Sequence, residues 1–78
     1  MNAQRKKLLQ GVLNFIQDTL KTDVESIRDE QQDYVDNVPE NLQSGERYER
    51  ASEALDKMDN LVSLLEDMVS ELEDITNL

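Results

Sequence analysis

"VDNVPENLQSGE", residues 35–46, separates two long stretches of helix-forming sequence and decides how they are arranged. It holds the chain's only proline, Pro39, and one of its two glycines, Gly45. Pro39 has no amide hydrogen and biases Val38 away from the α region, so a helix arriving from the N-terminal side stops before it. From Pro39 a short helical turn through "PENLQ" is expected, with Leu42 tucked under the helix ends. Ser44 is the expected N-cap of the next helix, its hydroxyl accepting from an early amide. Glu46 and Glu49 then fall in a first turn whose dipole favours negative charge.

Downstream of this segment the apolar residues obey a seven-residue rule. Ala51, Met58, Leu65 and Leu72 share one heptad position. Ala54, Leu61, Met68 and Ile75 share a second, and Tyr48, Leu55, Val62 and Val69 a third. Good helix formers fill the stretch, and neither glycine nor proline occurs after Gly45. Three apolar positions per heptad make a stripe broader than the two-position seam of a simple coiled coil, more than one facing helix covers.

Upstream the pattern is noisier. Leu9, Val12, Leu13, Ile16, Leu20, Val24 and Ile27 lie on one helical face, widened by Leu8 and Phe15. Gly11 costs about 1 kcal/mol relative to alanine in a helix interior without ending the helix. Beyond Ile27, "RDEQQD" is polar and reads as a solvated helix end near the turn.

The expected fold is therefore all-α: an antiparallel two-helix hairpin forming one domain over residues 1–78. Helix 1 is expected at about 3–34, the turn at about 35–44 and helix 2 at about 45–76. Position i then faces roughly 80 minus i. This places Leu9 against Leu72, Leu13 near Met68, Ile16 against Leu65 and Leu20 against Leu61. It also sets Arg5, Lys6 and Lys7 beside Glu71, Glu73 and Asp74, Lys21 near Asp59 and Arg28 near Glu53. Because a lone hairpin leaves part of the broad stripe wet, two hairpins are expected to dimerise into a four-helix bundle. The expected shared core is Leu9, Leu13, Ile16, Leu20, Leu55, Met58, Leu61, Val62, Leu65, Met68, Val69 and Leu72, with Pro39, Leu42 and Ser44 shaping the turn.

At 78 residues the chain is near the lower size at which a domain buries enough surface to fold alone. Phe15, Tyr34 and Tyr48 are its only aromatics, so aliphatic side chains build the core. It has neither cysteine nor histidine, which removes disulfides, thiol nucleophiles, the commonest metal ligand and the commonest general base. Eighteen acids against eight bases give a net charge of −10, unsuited to nonspecific binding of nucleic-acid phosphates or anionic lipid. No apolar run approaches the roughly 18 residues of a membrane span. Gln10, Asn14, Gln17 and Asp18 interrupt any signal-peptide core behind the basic start, so a soluble cytoplasmic protein is expected.

No catalytic constellation emerges. The serines have no histidine partner for a Ser-His-Asp site. Carboxylate pairs such as Glu66 with Asp67 lie on polar helix faces, where burial does not tune their acidity. Glycine-rich phosphate cradles and dinucleotide fingerprints are absent. Asp33, Asp36, Asn37, Glu40 and Asn41 crowd the turn with oxygen ligands, yet they lack the alternating acids, central glycine and late glutamate of an EF-hand loop. Capping and turn chemistry explain them, and no cofactor or metal is expected. Met58 and Met68 read as stripe residues rather than as an adaptable groove.

The run "RDEQQDYVDNVPENLQSGERYERASEALDKMDNLVSLLEDM" resembles a family of short acidic helical proteins of Gram-positive bacteria and their phages. The likeness rests on "DE-Q" at Asp29–Gln31, "DN-PENLQ" at Asp36–Gln43, and an "S-x-R-x-E" run into a helix from Ser44 to Leu55, offset by one residue at Ser44-Gly45. It implies a hairpin in a phage or mobile-element setting and brings no catalytic or binding residue with it. The functional expectation is a non-enzymatic interaction module, a homodimer with a further protein partner and no direct contact with nucleic acid or membrane. The alternative is an acidic decoy whose carboxylates stand in for phosphates in the basic groove of a nucleic-acid enzyme.

Overall fold

The computed structural model describes Met1–Leu78 and shows an all-helical hairpin without strands, a rod of 59 × 15 × 13 Å. The first arm is continuous: α1 (Ala3–Phe15), a π turn (Ile16–Leu20) and α2 (Lys21–Asp36). A single 3-10 turn at Glu40–Leu42 leads into the second arm, α3 (Glu46–Thr76).

The heptad pattern governs α3. Leu55, Val62 and Val69 from one position are buried, as are Leu65 and Leu72 from a second, with Met58 and Ala51 partly covered. These two positions form the seam against the first arm, as a pair of packed helices requires. The remaining position, that of Ala54, Leu61, Met68 and Ile75, is half-buried at its ends and wet in its middle, where Leu61 and Met68 are 44% and 50% exposed.

The first arm meets this seam by a less regular route. In the π turn the Lys21 amide donates to the Ile16 carbonyl, five residues back, so the turn holds one residue more than an α-helical turn. Before it, Leu9, Leu13 and Ile16 face α3; after it, the facing positions are Lys21, Val24, Arg28, Gln31 and Val35. The extra residue carries Leu20 and Ile27 off the seam, to 39% and 54% exposure, where an uninterrupted α-helix would have kept them on it. Leu13, Ile16, Leu65, Val69 and Leu72 make the buried cluster of the open half, with Leu9 and Val24 packed against it.

The same skip corrects the expected charge register. Lys21 Nζ lies 3.6 Å from Glu66 rather than beside Asp59, and Arg28 Nε lies 3.0 Å from Asp59 rather than beside Glu53. Arg5, Lys6 and Lys7 make no ion pair, so the basic start is not matched to Glu71, Glu73 and Asp74 within the hairpin.

The turn forms as Pro39 directs, with two corrections. Pro39 is extended (φ −58°, ψ 145°) and its carbonyl accepts from the Leu42 amide at 2.9 Å, opening the 3-10 turn. Asn37 closes α2, its amide and its side chain both donating to the Asp33 carbonyl. Ser44 does not cap α3: the cap is Gly45, with no side-chain hydrogen bond, and the Glu49 amide reaches the Gly45 carbonyl at 3.1 Å. Leu42 does not tuck under the helix ends but is 57% exposed. Gln43 spans the turn instead, donating to the Val38 carbonyl, which leaves Leu42 on the outer side.

Candidate interaction surface

The seam and the surface beside it sort the expected core residues into three groups. Leu13, Ile16, Leu55, Val62, Leu65, Val69 and Leu72 are buried within the hairpin, and Leu9 and Met58 are half-buried. Leu20 on the first arm and Leu61 and Met68 on the second are not covered by the arm opposite. Val35, absent from the expected core, is buried near the turn; the π turn places it there, and no feature of the residues around it announces that skip.

Leu61, Leu64, Met68 and Ile75 line one face of α3 and meet Val12 of α1 in a groove of about 590 Å³. Its other lining residues include the outer sides of Leu65 and Leu72 and two acids, Asp67 and Glu71. The surface continues on α1, where Leu8, Val12 and Phe15 recur at helical spacing and are all exposed. Contiguous apolar surface of this kind is the common character of interaction surfaces and ligand grooves.

A second hollow, about 640 Å³, lies at the turn between the ends of α2 and α3. Tyr34, Val38, Pro39, Leu42 and Tyr48 line it, with Asp33, Glu46 and Arg47 at its edge. Glu46 is ion-paired with Arg50 one helical turn on. Close by, the Gln31 side-chain amide donates to the Ala51 carbonyl at 2.9 Å, the one side-chain hydrogen bond joining the two arms. It pins the arms next to the turn, where apolar seam residues thin out.

No group of three or more acids is placed to hold a metal ion. No helix is long and apolar enough to cross a membrane. Compared with protein-family models, curated proteins and solved structures, the chain has no match.

Proposed function

We propose that the chain is a non-enzymatic interaction module that works as a small helical homodimer, two hairpins forming a four-helix bundle. The observation that carries this reading is the heptad position of α3 that holds Leu61 and Met68. Leu61 and Met68, with Leu64 beside them, are large apolar side chains left outside the hairpin's own seam. Full burial of such a side chain contributes about 1.5–3 kcal/mol, and these are already about half-covered, so a second copy of the same face adds roughly half of that for each. A free apolar face is costly for a domain of this size, whose own core is only one side chain deep.

The setting proposed with it is the cytoplasm of a cell carrying a phage or mobile element, on the strength of the "DN-PENLQ" segment and the acidic composition. The dimer would present its polar, acid-rich surfaces to a further protein.

Sedimentation equilibrium tests the reading. The wild-type chain is expected to be a dimer at micromolar concentration. Met68→Asp is expected to be a monomer that keeps its helical circular dichroism, because Met68 lies outside the seam. Leu65→Asp is expected to lose the fold as well, since a charge at that buried position has no partner. A wild-type monomer would overturn the proposal.

A further inference from the structure

The exposed apolar surface is not spread evenly along the rod. Of the twelve large hydrophobic side chains left exposed, nine lie in residues 1–20 and 61–78, the half away from the turn; only Ile27, Tyr34 and Leu42 lie elsewhere. Charge is uneven in the complementary sense. Residues 28–53, the turn half, carry eight acids against three arginines. The open half, residues 1–20 and 61–78, is longer yet carries a smaller excess, six acids against three bases, and all three bases stand at its outer end.

Resting on the dimer reading above, we infer that the second copy seats antiparallel, the open halves of two hairpins overlapping and their turns pointing away at opposite ends. A two-fold axis across the rod stacks α3 on the partner's α3 and α1 on the partner's α1. Centred at Met68, it sets Leu61 of one copy against Ile75 of the other, and Met68 against itself, so the wet heptad position closes on its own copy. Centred at Val12, it brings Lys6 level with the partner's Asp18, and Arg5 and Lys7 to either side. Lys6 and Asp18 both lack an ion pair within the hairpin.

The competing arrangement, two hairpins side by side with turns together, stacks α1 on the partner's α3. It offers Arg5, Lys6 and Lys7 the partner's Glu71, Glu73 and Asp74, exposed pairs of about 0–1 kcal/mol each. Against this, it lays the two acid-rich turn halves on each other at the 8–10 Å spacing of packed helices, within about a Debye length at physiological salt. Those halves have little apolar surface to bury in return. The antiparallel overlap covers the mainly apolar groove, with Asp67 and Glu71 as its two acids, and keeps the acid-rich turns apart, beyond screening distance.

The resulting assembly is a rod longer than either hairpin, with a turn hollow open at each end.

The chain has no cysteine, so Asn41→Cys places a single spin label on each exposed turn of the full-length chain. From Met68 to the start of α3 is about 35 Å at 1.5 Å per residue, so pulsed electron paramagnetic resonance is expected to give a label separation of about 70 Å. A separation below about 30 Å would overturn the antiparallel arrangement while leaving the dimer standing. Met68→Cys, at the axis, is expected to form an intermolecular disulfide under mild oxidation, and failure to cross-link in a chain that still sediments as a dimer would count the same way. A monomer by sedimentation equilibrium would remove the dimer reading and this inference with it.

Discussion

Arg28 Nε lies 3.0 Å from Asp59 Oδ1, and seven residues away on each arm Lys21 Nζ lies 3.6 Å from Glu66 Oε1. The two contacts are the same rung of a ladder, one heptad apart, in which cations occupy seam positions of α2. Arg28 Nε is buried but has no hydrogen bond, because its N–H does not point at the carboxylate that its charge faces. The guanidinium's other contact is with Asp29, at 3.1 Å. The expected outcome of an Arg28/Asp59 double-mutant cycle is a coupling below about 1 kcal/mol that shrinks as salt rises, since both side chains remain about one-third exposed or more. Arg28→Leu extends the apolar seam from Val24 as far as Gln31 and is expected to leave thermal stability unchanged or to raise it.

At the start of α3 the cap has moved one residue from where the motif suggests. Ser44→Ala is therefore expected to change stability by less than about 0.5 kcal/mol, the range of substitutions away from structural features. Gly45 is not held by its backbone, with φ −78° and ψ 156° open to any residue, and a Cβ there meets only the Leu42 carbonyl oxygen at 3.4 Å. Gly45→Ser gives the helix a side-chain acceptor at the cap and is expected to gain a few tenths of a kcal/mol in urea unfolding.

These two results mark what was legible in the residues. Pro39 ends a helix that reaches it from the N-terminal side, and a heptad maintained from Ala51 to Leu72 has one helical reading, so hairpin and turn came directly from local chemistry. The broad stripe also carried its own message, that one facing helix would leave Leu61 and Met68 uncovered. The π turn carried none. "IQDTL" holds nothing that an α-helix would refuse, and only the fit of the first arm to α3 selects the extra residue. Leu20, Ile27, Val35 and the partners of Lys21 and Arg28 all depend on it. Ser44 and Leu42 were misplaced for a smaller reason: a 3-10 turn and an α-helix offer neighbouring residues as the start of α3, and Gln43 fixes the choice through the Val38 carbonyl.

Leu42 and Leu13 give a direct contrast between surface and core. Leu13 is buried in the cluster of the open half, and Leu13→Ala is expected to cost about 2–5 kcal/mol. Leu42 stands outside the hairpin, so Leu42→Ala is expected to stay within about 0.5 kcal/mol in the same unfolding experiment. If the turn hollow holds a protein partner, Leu42→Ala and Tyr34→Ala would weaken that complex with the melting temperature unchanged.

The π turn itself makes the sharpest forecast. It is equivalent to one residue inserted into an α-helix, so removing one residue from it restores α geometry without rotating α2 relative to α1. Thr19 is exposed and makes no side-chain hydrogen bond, which makes it the residue to delete. In the shortened chain Leu13 and Ile16 keep their places, and Val24, Arg28 and Val35 still face α3. The deletion is expected to leave helical content and thermal midpoint within a few degrees of wild type. Deleting Ser63, an equally exposed residue of α3, has no π turn to absorb it. It rotates Leu65, Val69 and Leu72 by about 100° relative to Leu55 and Val62, turning half the seam to solvent. That variant is expected to unfold many degrees earlier or not to fold. Equal damage from the two deletions, read by circular dichroism melts side by side, would mean that the arm does not run through a π turn in solution.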